Sequence, residues 1–258
     1  MKKIPLFALL MLCASGLLSQ TIPLMRAHSH NDYNRTRPLY DALDHGFTSV
    51  EADVLYIYGE LYVGHNMPDS ANHQLPKLKK AYLQPLFERF QSNGGEIYTG
   101  YKGEFYLWID IKFEPWKAYR KLKEDLLPYK DMLNYWEGGK PRKGKVTVIL
   151  SGQRPIEIVE YERLRMVTLD GRPEDLVKDY GPDLMPFISQ NRKAVFQLDE
   201  EGNISPEEFD KLKTFVKKCF DQGKKTRLWA TPEDEKIWQK LLDAGVDLIN
   251  TDDLKKLQ

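Results

Sequence analysis

The chain has 258 residues, and its 38 lysines and arginines balance 38 aspartates and glutamates. A formal net charge of zero gives no electrostatic ground for a nucleic-acid partner and leaves at most transient contact with a membrane. Hydrophobic residues at 41% suffice for an ordinary core, and aromatics at 12% lean towards a site for something with a flat or apolar face.

Residues Met1–Gln20 have the form of a secretory signal: Lys2 and Lys3 precede an apolar run, and Ala14, Ser15, Gly16 and Ser19 offer small residues for cleavage. The run is shorter than the ~20 residues that a membrane span needs. Residues 1–20 are therefore expected to be a signal peptide and the protein to be exported, whether to periplasm, cell surface or medium. Cys219 is then the one remaining cysteine, so no intrachain disulfide is expected. No Pro/Gly/Ser-rich linker, repeat or low-complexity tract divides the remainder, so 21–258 is expected to be one domain, in the size range of a single α/β barrel.

In chain order, Leu24 to His28 forms a short apolar run, the first strand, and Pro38 opens a helix that Gly46 closes. Thr48 to Ile57 is a second strand, and Tyr58-Gly59 turns into an extended piece ending at His65. Pro76 to Gln91 is predicted helical. Glu104 to Lys112 is a third strand, almost continuously apolar as a strand buried on both faces should be. A helix from Pro115 to about Trp136, a strand over Lys145–Leu150, a helix after Arg154-Pro155, a strand over Arg165–Asp170 and a short helix from Pro173 follow. Phe187-Ile188 and Ala194–Leu198 are weaker strand candidates. The chain closes with a helix over Pro206–Phe220, a strand over Thr226–Ala230, a helix over Pro232–Ala244 and a last strand over Asp247–Thr251. Strands alternating with helices imply a parallel sheet, and about eight repeats favour a closed (β/α)8 TIM barrel, some strands short or irregular, over an open doubly wound sheet. The absence of a G-x-G-x-x-G after the first strand weakens a dinucleotide-binding alternative.

Chemistry concentrates in the first barrel strands. Glu51 and Asp53, two apart on a strand, project to the same side. Carboxylates that converge in this way repel unless a cation or a proton lies between them. His30 precedes the pair and His65 follows it, and an unperturbed imidazole, titrating near pH 6.5, suits proton transfer at neutral pH. Asp110 and Lys112 share a face of the third strand. Catalytic groups of such barrels lie at the C-terminal ends of strands, where all these residues fall. His28 is read as packing or supporting, His45 as structural at a helix end, and His73 has no role.

The order and spacing of His30-Asn-Asp-Tyr33, Val50-Glu-Ala-Asp-Val54, Leu61-Tyr-Val-Gly-His65, Trp108-Ile-Asp-Ile-Lys112 and Gly245-Val-Asp-Leu-Ile-Asn-Thr-Asp252 resemble the glycerophosphodiester phosphodiesterase and phosphatidylinositol phospholipase C-like superfamily, in particular small secreted bacterial members with a His-Asn-Asp-Tyr opening. The resemblance implies His30 and His65 as catalytic histidines, Glu51, Asp53 and Asp110 as ligands of Mg2+ or Ca2+, and Lys112 as the site lysine. It implies hydrolysis or cyclisation of a small-molecule or lipid-derived phosphodiester. The usual opening is His-Arg-Gly, with the arginine on phosphate. Here Asn31 and Asp32 stand in that place, so Asn31 is a substrate-binding candidate and the phosphate contact falls to another arginine: Arg26, Arg35, Arg37 or Arg154. Trp229, near the end of a late strand, is a candidate for stacking on the substrate.

Two rival readings accompany this one. His28-x-His30 looks like the opening of amidohydrolase-type binuclear hydrolases, yet all five histidines lie between positions 28 and 73, leaving none for the later strands that such sites use. The other is an exported lipid- or glycan-binding barrel without catalysis.

Overall fold

The computed structural model describes residues 21–70 and 74–258. The expected signal segment and His73 lie outside the described residues. Among the described residues there are twelve strands: β1 (Leu24–Ser29), β2 (Phe47–Ile57), β3 (Glu60–Val63), β4 (Phe105–Ile111), β5 (Tyr135–Glu137), β6 (Lys140–Arg142), β7 (Val146–Gly152), β8 (Leu164–Arg165), β9 (Thr168–Gly171), β10 (Phe187–Asn191), β11 (Lys225–Trp229) and β12 (Leu248–Thr251). Eight of them, β1, β2, β4, β7, β9, β10, β11 and β12, run parallel, and pairing of β1 with both β2 and β12 closes the sheet into a barrel. This is the expected (β/α)8 architecture.

Side chains alternate across each barrel strand. Val50, Ala52 and Val54 of β2, Leu107, Ile109 and Ile111 of β4, and Val148 and Leu150 of β7 face outwards into the main core, where the helices cover them. The inward positions fall in layers. Tyr106, Trp108, Ile149, Phe187 and Leu248 make an aromatic and aliphatic plug. Above it, the inward positions turn polar. The helices that close the repeats are α1 (Tyr40–Asp44), α2 (Gln84–Ser92), α3 (Pro115–Leu126), α4 (Ile156–Val159), α5 (Pro206–Phe220), α6 (Glu235–Asp243) and α7 (Leu254–Leu257). The start of α5 matches its sequence signal: Ser205 caps it, accepting from the Glu208 N–H at 3.3 Å, and Pro206 opens it.

Three expectations give way to the structure. The helix from Pro115 stops at Leu126, and Leu127–Met132 tightens into a 3-10 turn that contains Pro128, which supplies no N–H to continue it. Trp136 lies instead in β5, at the centre of a small antiparallel sheet with β6 and β8, with the Arg165 guanidinium 3.9 Å over its ring. The helix from Pro76 begins as a π-turn over Lys79–Leu83 and becomes α-helical at Gln84, next to Pro85. The candidate strand at Ala194–Leu198 does not form. Arg192–Ala194 is a 3-10 turn, and Phe196 is drawn out of the sheet into the cluster of Leu212, Ile237 and Leu241 from α5 and α6.

Candidate active site at the C-terminal rim of the barrel

Register sets the first half of the site. β2 pairs with β4 so that Asp53 lies beside Asp110, and β4 pairs with β7 so that Asp110 lies beside Ser151. Glu51, Asp53 and Asp110 thus converge on one point, each offering an oxygen within 4.8 Å of the others'. Gly152 makes this possible on the β7 side: its φ is +66°, and a Cβ there would stand 2.2 Å from Asp110 Oδ1.

The second half comes from a hairpin. β2 is eleven residues long and overshoots the barrel, turning back at Tyr58 and Gly59, both with positive φ, into antiparallel β3. Gly64 N–H returns to the Asp53 carbonyl at 3.0 Å, and His65 follows directly, its Nδ1 2.6 Å from Asp53 Oδ2. From the opposite side, His30 leaves β1 with Nε2 3.8 Å from Glu51 Oε2 and Nδ1 3.1 Å from Asp252 Oδ1. His65 Nδ1–H donating to Asp53 leaves Nε2 of that ring without a partner among the described residues, whereas His30 Nδ1 faces both Asp252 Oδ1 and, at 2.9 Å, Asn31 Nδ2. Lys112 Nζ bridges Asp53 Oδ2 and Asp110 Oδ1, 3.0 Å from each.

Burial and neighbouring charges act on the groups of the site in opposite directions. Burial alone would push Glu51 up, but Arg227, its Nη1 3.5 Å away, together with His28 and His30, holds it well below the ordinary range. Burial raises Asp110, and the Glu51 and Asp53 charges add to that against the pull of Lys112. Burial opposes charge on Lys112 too, yet Asp110 and Asp53 outweigh it and the ammonium is retained. Asp252 is pushed up by burial and brought down further by hydrogen bonds from His30 and Asn31. Three polar groups on the inner face, Asp110 Oδ1, Asp170 Oδ1 and both amide atoms of Asn250, have no hydrogen-bond partner among the described residues, although Asp110 Oδ1 keeps its ion-pair contact with Lys112. Such atoms are open to a polar ligand.

His28 is buried and supports the site from below. Its Nδ1 lies 2.7 Å from Ser49 Oγ, which also accepts from Trp108 Nε1 at 2.9 Å, and its Nε2 lies 2.8 Å from Arg227 Nη1. Burial, then Arg227, lowers its pKa to about 4, so the neutral ring donates to Ser49 and accepts from Arg227. A ring nitrogen facing a guanidinium cannot hold a metal, which removes the His28-x-His30 binuclear reading.

Asn31 takes a left-handed conformation, donates from Nδ2 to Asp252 at 3.2 Å and accepts from Tyr33 Oη at 3.1 Å, so both ends of its amide are engaged within the protein. Asp32 is fully buried and accepts from Ser29 Oγ at 2.8 Å, Leu39 N–H at 2.6 Å and Tyr82 Oη at 2.8 Å. It anchors the loop between β1 and α1, in which Leu39 carries a φ of 66°. Asp32→Ala leaves three buried donors unpaired and is expected to cost about 3 kcal/mol. Urea denaturation checks this, and a loss below about 1 kcal/mol would contradict it.

Among the arginines, Arg154 does not join the site: it donates to the Asp170 carbonyl and, at 3.0 Å, to Asp175 Oδ2, bracing the turn after β9. Arg172, Arg227 and Asp252 also belong to the site: Asp252 closes the last motif of the resemblance, whereas Arg172, just after β9, and Arg227, in the middle of β11, carry no sequence signal of their own. Arg172 reaches Asp170 Oδ2 at 2.5 Å and Ser151 Oγ at 3.2 Å, with its guanidinium 5.1 Å over the half-buried Trp229 ring. A cavity of about 1030 Å3, lined by Arg26, Tyr106, Phe187 and Lys225, lies at the opposite, N-terminal end of the strands, away from this chemistry.

With this geometry in view, comparison with known proteins decides the family. The model of the AIM6-like phosphodiesterase domain matches residues 16–170, and that of the glycerophosphoryl diester phosphodiesterase family matches 225–255. The chain belongs to the AIM6-like phosphodiesterase domain family. Its relatives include an Altered inheritance of mitochondria protein 6 homolog of Arthroderma benhamiae, 29% identical over 88% of this chain and 81% of that protein. The Altered inheritance of mitochondria protein 6 of Eremothecium gossypii is 30% identical over 93% of this chain and 71% of its own length, and that of Lachancea thermotolerans 30% over 90% and 64%. These fungal relatives, named for inheritance of mitochondria, overturn the expectation of an exported protein akin to small secreted bacterial enzymes, and the N-terminal stretch that suggested export lies outside the described residues.

Proposed function

We propose that this AIM6-like domain cleaves phosphoric diesters, by acid–base catalysis from His30 and His65 at a Mg2+ or Ca2+ held by Glu51, Asp53 and Asp110, with a glycerophosphodiester or phospholipid head group as substrate. The observation that carries the reading is the convergence of three carboxylates between two histidines, on a barrel of a phosphodiesterase family. An all-oxygen donor set of high negative charge suits a hard divalent cation. Bound there, the cation neutralises negative charge on the phosphoryl oxygens and orients them.

The chain's own residues supply the rest. His30 and His65 flank the carboxylates from opposite sides, so one ring nitrogen takes the proton of the attacking hydroxyl while the other gives one to the leaving oxygen. The attacking hydroxyl is water in hydrolysis, or a neighbouring hydroxyl of the substrate in formation of a cyclic phosphate. Asp252 and Asn31 hold the His30 ring in place, and Asp53 holds the His65 ring with Nδ1–H as donor. Lys112 carries positive charge to the rim, 22% exposed, where it offsets charge gathering on phosphorus in the transition state.

Hydrolysis of bis(p-nitrophenyl) phosphate, with p-nitrophenyl phosphate and p-nitrophenyl acetate alongside, tests the reaction class. The diester is expected to be cleaved fastest; an inert diester beside turnover of the monoester or the acetate would overturn the reading.

A further inference from the structure

We propose that Arg172, stacked on Trp229, grips the non-bridging oxygens of the phosphodiester and so replaces the arginine that the opening motif lacks, with Trp229 forming the floor beneath the substituent of the diester; the proposal rests on the phosphodiesterase reading above. The arginines that sequence suggests for this contact are all occupied elsewhere. Arg26 donates to the Val246 carbonyl at the N-terminal end of the strands. Arg35 donates to the carbonyls of Asp252 and His30, behind the loop that carries His30. Arg37 is tied to Asp41 and Asp44 on the surface, and Arg154 to Asp175 and the Asp170 carbonyl. Arg227 reaches Glu51, but its side chain is only 4% exposed and is wedged against His28.

Arg172 differs from all of these. Its side chain keeps 19% exposure while its inner edge is fixed by Asp170 and Ser151, and Ser151 lies beside Asp110 in the β4–β7 register. The guanidinium is therefore placed one strand from the carboxylate cluster, over an aromatic ring that fixes its plane. A planar donor fork held by a carboxylate behind and a ring beneath is suited to bidentate contact with two phosphate oxygens.

Lys112, Arg172 and Arg227 are the cations among the inner-face carboxylates Glu51, Asp53, Asp110 and Asp170, and of the two guanidinium groups Arg172 is the one that keeps exposure to the mouth.

The test is steady-state hydrolysis of bis(p-nitrophenyl) phosphate by the full chain and by Arg172→Met and Arg172→Lys, each titrated with Mg2+. Loss of one preorganised donor group on the phosphoryl oxygens predicts a fall of about 100-fold in kcat/KM for Arg172→Met, with KM raised. Arg172→Lys, which keeps the charge and the contact with Asp170, is expected to recover about tenfold of that and to match the parent's melting temperature. The half-saturating Mg2+ concentration should stay within threefold in both variants, because a merely structural role for Arg172 would disturb Asp110 and move it. Arg172→Lys within threefold of the parent in KM, or a shifted Mg2+ requirement with KM unchanged, would overturn the assignment. Absence of hydrolysis by the parent with any cation would instead sink the phosphodiesterase reading on which it rests.

Discussion

His65→Ala is expected to lower phosphodiester hydrolysis by about 10²–10⁴-fold, the range that general acid–base groups contribute, while leaving the fold intact. The two halves of that result come from different features. The side chain is 58% exposed, and its hydrogen bond goes to a carboxylate that Lys112 also neutralises, so truncation opens no cavity and leaves no buried charge alone. Surface changes of this kind stay within about 0.5 kcal/mol. The group removed is nevertheless the one that the β2–β3 hairpin exists to deliver over Asp53. His30→Ala should lose comparable activity and somewhat more stability, since His30 also ties Asp252 to the barrel mouth. Rates for both variants beside their melting temperatures check the pair. Full activity in either would remove that histidine from the mechanism.

Asp110→Asn is expected to weaken Mg2+ or Ca2+ binding by more than about 100-fold, above the effect of losing a partner that only orients a ligand. Affinity at oxygen-ligand sites follows the number of ligand charges. Asp110 is the cleaner position for this test than Glu51. Glu51→Gln strips the partner from Arg227, whose side chain is 4% exposed, and a buried charge left alone costs roughly 3–5 kcal/mol by itself. Asp110 by contrast shares Lys112 with Asp53, so the lysine retains a partner at 3.0 Å after the change. Calorimetric titration of parent and variant with each cation measures the effect, and equal affinities would exclude Asp110 from the ligand set.

What the sequence discloses about this site follows from distance along the chain. Glu51 and Asp53 sit two apart on one strand, so their shared direction needs no tertiary knowledge, and the parallel strands that end in Asp110 announce themselves by apolar runs. The barrel was legible for the same reason. Arg172 and Arg227 were not, because each enters the site through register between strands far apart in sequence. Arg154 and Arg172 both follow a strand, and only the turn after β9 decides that one faces Asp175 while the other lies over Trp229. Asp32 shows the converse. Within His30-Asn-Asp-Tyr33 it looks like part of the chemistry, yet its three donors come from Ser29, Leu39 and from Tyr82, fifty residues away. The helix from Pro115 fails to reach Trp136 because Pro128 supplies no backbone N–H to carry it on past Leu126.

The central claim is that three carboxylates hold a cation on which diester cleavage depends. Its most direct test is hydrolysis of bis(p-nitrophenyl) phosphate after treatment with EDTA and after return of Mg2+ or Ca2+ separately, with Asp110→Asn carried through the same steps. Activity that vanishes with EDTA, returns with one of the two cations in the parent, and stays lost in the variant is the predicted result. Turnover by the parent that EDTA leaves unchanged would contradict the account.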